Sequence, residues 1–300
     1  MAITVSLSLP TIEAKGLTKR YGRFLALKGV NFEVPEGKVV ALVGPNGAGK
    51  TTTLKMLSGF LKPTEGSVRV LGKDPWRCHE LKKDVAFILD KPNFPPHVKV
   101  ADFLREAALM VGKDEANGWK YLKMLDLQQY AERSFGKLSA GNMQKFAIAV
   151  AMLREPKLVI ADEPSSNLDP GARAQFYDLV LEAKRNGTTF FISSHVLAEM
   201  EKVADEVIIM SEGEVKVQAP LSQLASSLSG SEFRVTTDKP EALAMALGGK
   251  VVDGKVAVEE TKADLALIEA AAKKVGARVV AVERTGSSLD EIFKKLVSED

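Results

Sequence analysis

This 300-residue chain has one cysteine, no long apolar run and almost no net charge. The single cysteine, Cys78, excludes an internal disulfide and a multi-cysteine zinc site, and favours a reducing compartment. The longest apolar run, Phe146 to Leu153, is about half of the roughly 18 residues that a membrane span needs. The formal net charge of +2 indicates neither a nucleic-acid ligand nor an acidic substrate.

The amino terminus lacks the basic segment that opens a secretory signal peptide. Val5, Leu7 and Leu9 alternate with serine, which predicts a short strand. We therefore expect a protein that is not secreted and that reaches a membrane only through a partner.

The first two-thirds of the chain alternates short apolar runs with helical patterns. Continuous Val, Ile, Leu and Phe runs predict strands buried on both faces of a parallel sheet. The helix predicted over Arg173 to Arg185 ends at Asn186-Gly187. This alternation predicts a layered α/β core. The predicted strands are Lys38 to Val43, Val85 to Leu89, Leu158 to Ala161, Thr188 to Ser193 and Val207 to Met210.

A second unit is predicted over residues 231–300, after a first domain over residues 1–225. Its pattern is strand, helix, strand, strand, helix, strand and a terminal helix, which favours an α+β ferredoxin-like accessory domain. Asp253-Gly254 predicts a two-residue hairpin between the middle strands. The helical stripe has Leu265, Ile268, Ala272 and Val275, and Ser288 with Glu291 forms a capping box for the last helix.

One segment has the pattern G-x-x-x-x-G-K-[ST] between an apolar strand and a plausible helix. Glycines let the backbone approach a phosphate, and the helix adds its unpaired N–H groups. Lys50 supplies a cation to the β- and γ-phosphates, and the Thr51 hydroxyl suits Mg²⁺. The alternative is a glycine-rich turn without a ligand. The segment is Gly44-Pro45-Asn46-Gly47-Ala48-Gly49-Lys50-Thr51, with Thr52 next along the helix.

A second segment, Leu158 to Glu163, is apolar and then acidic. A buried strand that ends in carboxylates places them where α/β proteins bind ligands. Asp162 then holds Mg²⁺ through water, and Glu163 acts as general base toward the attacking water. The alternative is a solvated strand end.

The order of these and three further segments resembles the ATP-binding cassette (ABC) ATPase family over roughly residues 11 to 220. A tyrosine near the amino terminus, Tyr21, resembles the family's adenine-stacking aromatic. The matching motifs are the phosphate loop Gly44 to Thr51, the signature segment Leu138 to Asn142, the acidic pair Asp162 and Glu163, the D-loop Ser166 to Asp169 and the switch histidine His195.

The resemblance implies a P-loop NTPase fold, with a RecA-like core and a helical subdomain at about residues 91–154. It implies an ATPase that uses ATP and Mg²⁺ and closes head-to-tail with a second cassette. The implied partners are that cassette, as homodimer or heterodimer, and a transmembrane permease subunit, with no nucleic acid. It places the chain in the cytoplasm, peripheral on the inner face of the membrane. The carboxyl-terminal unit resembles the tail of exporter-type cassettes.

The resemblance also implies roles for isolated residues, each with a plainer alternative. Ser139, with Gly141 and Asn142, begins a helix and contacts the γ-phosphate held by the partner, or is simply an N-cap. His195 binds the γ-phosphate and positions water or Glu163, or is structural. Tyr21 stacks on adenine, or is an incidental exposed aromatic. Asp169 contacts nucleotide from the D-loop.

Three positions depart from the family's pattern. Ala140 replaces a signature glycine, and Asn142 replaces a glutamine. Asp90 stands where the family has the Q-loop glutamine. A carboxylate there reaches Mg²⁺ or its water but adds negative charge beside a polyphosphate, so we expect weaker binding of metal-free nucleotide and deeper Mg²⁺ dependence.

Two questions remain open from sequence. Phe94, in the proline-rich stretch 91–96, is either an exposed anchor for a membrane subunit or an ordinary buried side chain. The function is either that of an exporter motor or that of a soluble ABC ATPase acting on nucleic acid or ribosomes, although no basic arm is present. Glu163 disfavours a regulator without turnover, and the lack of an Asn-Lys-x-Asp segment disfavours a GTPase.

Overall fold

A computed structural model describes residues 9–226, 232–259 and 262–285. These residues form two compact units, the first ending at Leu221 and the second beginning at Ser222. The strand expected around Val5 and the helix expected after Ser288 lie outside the described residues. No helix among the described residues is long and apolar enough to span a bilayer.

The described elements are as follows. The strands are β1 Ile12–Tyr21, β2 Phe24–Val34, β3 Val39–Val43, β4 Glu65–Val70, β5 Val85–Ile88, β6 Leu158–Ala161, β7 Thr189–Ser194, β8 Glu206–Ser211, β9 Glu214–Pro220, β10 Glu232–Thr237, β11 Lys250–Val252, β12 Lys255–Glu259 and β13 Val279–Thr285. The helices are α1 Lys50–Leu57, α2 Val100–Met110, α3 Glu115–Met124, α4 Ala140–Met152, α5 Pro170–Arg185, α6 Leu197–Met200, α7 Leu221–Ser226, α8 Pro240–Leu247 and α9 Leu265–Val275.

A six-stranded sheet in the order β5-β6-β7-β3-β8-β9 is the centre of the first unit. Its strands are parallel except β9, which pairs antiparallel with β8. Every residue of β3, β6 and β7 is buried, as expected for strands covered on both faces. The predicted α/β core and its five strands are confirmed, with each end within one residue of its predicted place. The carboxyl ends of β5, β6, β7 and β3 therefore lie side by side.

A three-stranded antiparallel sheet, β2-β1-β4, packs against this core. The ring of Phe32 on β2 stacks on that of Phe191 on β7, with centroids 5.6 Å apart. The sequence patterns did not predict this sheet. It positions the β1–β2 hairpin, which carries Tyr21.

Helices α2, α3 and α4 follow the edge strand β5, and α2 and α4 contribute Phe103 and Phe146 to an aromatic cluster. Phe94 is half-buried there, stacked on Phe135 at 4.7 Å and edge-on to Phe146 at 5.1 Å. Of the two alternatives for Phe94, the structure favours the packed side chain, because three further phenylalanine rings offer it a better environment than water.

The second unit has an antiparallel sheet in the order β11-β12-β10-β13, with α8 and α9 packed against it. The hairpin predicted at Asp253-Gly254 is confirmed, since Val252 pairs with Lys255. Ile268 and Ala272 of the predicted stripe are buried, whereas Leu265 is 57% exposed at the start of α9. The sequence analysis therefore placed Leu265 wrongly in the buried stripe.

Candidate functional site

Four chemically distinct segments follow four neighbouring strands of the central sheet. Asp90 follows β5, Asp162 and Glu163 follow β6, His195 follows β7, and the glycine-rich segment follows β3. Because the strands are parallel, these segments share one sheet edge, the usual ligand-binding edge of α/β proteins.

The glycine-rich loop turns sharply into α1. Gly49 is the N-cap of α1 and has φ +101°, a conformation that side chains disfavour. A β-carbon at Gly49 would lie 2.6 Å from Cδ2 of Leu27. The loop therefore brings backbone N–H groups and the helix start to the cavity, which suits an anion.

Lys50 is the buried cation of this edge, with 7% of its side chain exposed. Its Nζ donates to the carbonyl oxygens of Gly44 at 2.6 Å and Pro45 at 3.2 Å. The same nitrogen lies 3.6 Å from Oε1 of Glu163. A buried ammonium needs such partners, because desolvation of an unpaired charge is unfavourable.

Glu163 contacts two of the other segments, those that carry Lys50 and His195. Its Oε2 lies 2.8 Å from Nδ1 of His195, and its backbone N–H donates to Oγ of Ser193 at 2.9 Å. Ser193 in turn donates to Oδ1 of Asp162 at 2.7 Å. The backbone of Glu163 has φ +46°, in the left-handed region that non-glycine residues seldom adopt. Such a conformation persists where surrounding contacts hold it.

A cavity of about 350 Å³ opens at this edge. Tyr21 and Phe24 pair across the β1–β2 hairpin and stand at it, 47% and 65% exposed. Phe24 was missed by the sequence analysis; its only signal is its place opposite Tyr21 in a hairpin. The lining residues are Tyr21, Phe24, Ala26, Pro45, Asn46, Gly47, Ala48, Gly49, Lys50, Thr51, Thr52, Asp90, Asp162 and Glu163.

Asp90 connects the cavity with the loop after β6. Its Oδ1 accepts a hydrogen bond from Oγ of Ser166 at 2.9 Å, and its backbone oxygen accepts one from Nδ2 of Asn167 at 3.1 Å. The carboxylate therefore has a protein partner as well as a place in the cavity wall.

The signature segment and Asp169 do not line this cavity. Ser139 is the N-cap of α4 and accepts from the N–H of Asn142 at 3.2 Å. Asp169 caps α5 by accepting from the N–H of Ala172 at 2.9 Å, and this bond lowers the pKa of its carboxyl. Gly141 lies against the loop after β6, where a β-carbon would be 2.9 Å from the oxygen of Asn167.

The residues at the cavity suit a magnesium nucleotide. Mg²⁺ prefers oxygen ligands, and in phosphate-transferring sites one or two carboxylates plus the substrate's phosphates commonly complete its shell. Thr51, Asp90 and Asp162 offer such oxygens on the cavity wall. Within the described ranges no cluster of three or more His, Cys, Asp or Glu is arranged to hold a metal by itself.

A second, more apolar cavity of about 440 Å³ lies between the end of β5 and α4. Phe60 and Leu89 line it and are 62% and 53% exposed. Its charged lining residues among those described, Lys82 and Arg154, are both basic.

Comparison with known proteins gives one family. The sequence profile of ABC transporters matches residues 27–166. The chain is 32% identical over 295 residues to the bacitracin transport ATP-binding protein BcrA of Enterococcus faecalis, covering 95% of this chain and 96% of that protein. It is 34% identical to the lantibiotic transport ATP-binding protein SrtF of Streptococcus pyogenes, covering 68% and 88%.

Solved structures agree with the sequence matches. A dimeric ATP-binding cassette in a post-hydrolysis state with ADP and phosphate is similar with a TM-score of 0.64 and 26% identity. The match covers 70% of this chain and 98% of that structure.

Proposed function

Because the chain belongs to the family of ABC transporter ATP-binding subunits, we propose that it is the ATP-hydrolysing motor of a membrane exporter and works as a head-to-tail dimer of cassettes. The observation that carries this proposal is the position of Glu163 between Lys50 and His195, on the wall of a glycine-lined cavity. The names of its relatives, bacitracin and lantibiotic transport, support export.

Nucleotide binding is assigned to the loop from Gly44 to Thr52. Its N–H groups and the start of α1 receive the phosphates, and the Lys50 ammonium exchanges loop carbonyls for phosphate oxygens. Tyr21 and Phe24 stand where a base can stack. The cavity thus offers an aromatic end and an electropositive end, which matches the two ends of ATP.

Magnesium is assigned to Thr51 and Asp162, with Asp90 close enough to hold a coordinated water. When bound, Mg²⁺ neutralises charge on the β- and γ-phosphates. Ser193 fixes one oxygen of Asp162, so the carboxylate is oriented by the protein itself.

Hydrolysis is assigned to Glu163 as general base. A carboxylate in hydrogen-bond reach of water can accept its proton as water attacks the γ-phosphorus. The Nδ1 of His195 holds Oε2 of this carboxylate, and the ring is 55% exposed, so it can also meet phosphate. His195 is therefore assigned to orient Glu163 and the γ-phosphate.

The second cassette supplies the groups that lie outside the cavity. Ser139, Gly141 and Asn142 at the start of α4, with Asp169, are assigned to the nucleotide of the facing copy. Ser139 and Ala140 are exposed at a helix N-terminus, the position that favours an anion. Hydrolysis then removes the phosphate that joins the two copies.

The permease is assigned to the apolar cavity beside Phe60 and Leu89. Its exposed apolar side chains suit a short helix from a membrane subunit, and its basic end at Lys82 and Arg154 suits an acidic residue on that helix. Such docking places the chain on the cytoplasmic face of the membrane, as a peripheral subunit.

The carboxyl-terminal unit, taken as residues 231–300, is assigned to dimerisation or docking. Deletion of these residues is expected to weaken ATP-dependent dimerisation or membrane association. Unchanged dimerisation, ATPase and membrane association in the truncated chain would remove this assignment.

Capture of the tagged chain in mild detergent from its host tests the whole proposal. We expect an integral membrane protein to co-purify and the chain to hydrolyse ATP in the presence of Mg²⁺. Phe60→Glu is expected to lose that protein and keep hydrolysis, whereas Met110→Glu, at an exposed apolar position outside the cavity lining, keeps both. Recovery of RNA or ribosomal proteins instead supports the soluble alternative.

A further inference from the structure

A polar cluster lies behind the contact between Glu163 and His195. Its centre is the carboxylate of Glu199 on α6, four residues after His195. Oε1 of Glu199 accepts a charge-assisted hydrogen bond from Nη1 of Arg173. Oε2 accepts from Oγ of Ser165 at 3.2 Å and from the Tyr177 hydroxyl at 3.4 Å. One carboxylate thus has three donors.

All three donors lie on the segment that follows Glu163. Ser165 is two residues further along the loop, and Arg173 and Tyr177 are on α5. Nη2 of Arg173 also donates to the backbone oxygen of Leu168 at 3.4 Å. Glu199 therefore ties the segment after β6 to the segment after β7, which are the segments that carry Glu163 and His195.

Burial makes these contacts hard to replace with water. Ser165 and Tyr177 are buried, and the Glu199 side chain is 21% exposed. Nε of Arg173 is buried without a hydrogen-bond partner in the described part of the chain, so its guanidinium depends on Glu199 and Leu168. Burial, with the charge of Glu199, raises the pKa of Tyr177 to about 12, so its hydroxyl stays a donor.

The polar cluster around Glu199 lies next to the strained backbone of Glu163. A non-glycine residue in the left-handed region keeps its conformation where the surrounding structure holds it there. Ser193 holds the N–H of Glu163 from β7. The bond from Ser165 to Glu199 holds the loop on the other side.

We propose that Glu199 is a positioning residue for ATP hydrolysis. Through Ser165 and Arg173 it holds the backbone of Glu163 in the position from which the Glu163 carboxylate contacts His195. The inference rests on the proposed role of Glu163. Glu199 does not line the nucleotide cavity in the described part of the chain, so we expect its effect on the hydrolysis rate of bound ATP and not on the affinity for ATP.

Steady-state hydrolysis by the full chain tests this inference, with Glu199→Gln as the main variant and Glu201→Gln as its control. Glutamine keeps an acceptor oxygen but loses the charge that pairs with Arg173. Glu201 is exposed on the same short segment. We expect Glu199→Gln to lower kcat by at least about tenfold, as small misplacements of catalytic groups do. KM for ATP should stay within about twofold, and Glu201→Gln should match the wild type.

Ser165→Ala is the second variant, because it removes one hydrogen bond without unpairing Arg173. It is expected to lower kcat at a temperature well below the unfolding midpoint, while that midpoint falls by only a few degrees. A purely structural role does not produce this split. Wild-type kcat in both variants overturns the inference. The inference is also overturned if the fall in kcat parallels a fall in the unfolding midpoint and kcat returns to the wild-type value at a lower assay temperature. A Glu163→Gln variant is assayed alongside to distinguish failure of this inference from failure of the proposed function. Wild-type hydrolysis in Glu163→Gln would show that Glu163 is not the general base.

Discussion

The Nδ1 atom of His195 lies 2.8 Å from Oε2 of Glu163, while Oε1 of the same carboxylate lies 3.6 Å from Nζ of Lys50. The two contacts occupy different oxygens, so the carboxylate is aligned by an imidazole on one side and by a cation on the other. This geometry carries the first two predictions.

Replacement of the general base is the direct test of the hydrolytic assignment. Glu163→Gln keeps the size of the side chain and an acceptor for His195 but cannot take a proton from water. We expect phosphate release to fall by at least about 10²-fold, with ATP binding kept and a stable dimer in Mg-ATP on gel filtration. The control is Glu106→Gln, at an exposed position on α2. Rapid turnover in Glu163→Gln contradicts the assignment.

Replacement of the histidine tests orientation. His195→Ala removes the partner of Oε2 and leaves the carboxylate to Lys50. We expect kcat to fall by roughly 10–100-fold with the dissociation constant for ATP little changed, measured with a fluorescent analogue. His97→Ala, at an exposed loop position, serves as the matched control. Equal rates in the two alanine variants would make His195 a structural residue.

The acidic residue at the end of β5 predicts an unusual metal dependence. Asp90→Asn keeps an acceptor for Ser166 but removes a negative charge from the cavity wall. We expect ATP binding in EDTA to strengthen by roughly three- to tenfold, the size of a screened interaction of about 1 kcal/mol. Titrations with and without Mg²⁺ measure it. Identical affinities of Asp90→Asn and wild type in EDTA contradict the prediction.

The close packing of α4 against the loop after β6 predicts a dimerisation defect. In Gly141→Ala the new β-carbon meets the oxygen of Asn167 at 2.9 Å, so the start of α4 or the loop has to shift. We expect weaker ATP-dependent dimerisation by analytical ultracentrifugation and an unchanged affinity of the monomer for ATP. Ala140→Gly, which adds no atom, is the control. A dimer of wild-type strength in Gly141→Ala shows that the signature segment tolerates this shift.

Local patterns predicted the central sheet and the residues at its edge. Buried parallel strands are continuous apolar runs, and the glycine-rich loop has a fixed spacing, so both are visible in short windows. The β1–β2 sheet was missed because register shifts between Ala14 and Leu17 and between Leu17 and Lys19 break its alternation. Phe24 was missed for the same reason, as its role depends on pairing with Tyr21.

Local sequence patterns could not predict contacts between segments that are far apart in the chain. Glu199 meets Arg173 and Ser165 across 26 and 34 residues, and its spacing from either carries no signal. The sequence alone does not decide between the two alternatives for Phe94, because its partial burial comes from the distant residues Phe135 and Phe146. Tertiary packing therefore determines both the contacts of Glu199 and the burial of Phe94.

Ser139 stands outside the cavity that its own phosphate loop forms. On the proposed assignment of Ser139 to the facing copy, a lone copy has the residues for hydrolysis without the second wall that closes on the γ-phosphate. Specific activity of the free chain should rise with its concentration, since two loaded copies must collide. A permease that holds two copies side by side replaces that collision with a high effective concentration, so consumption of ATP becomes a property of the assembled transporter and is low in unassembled subunits.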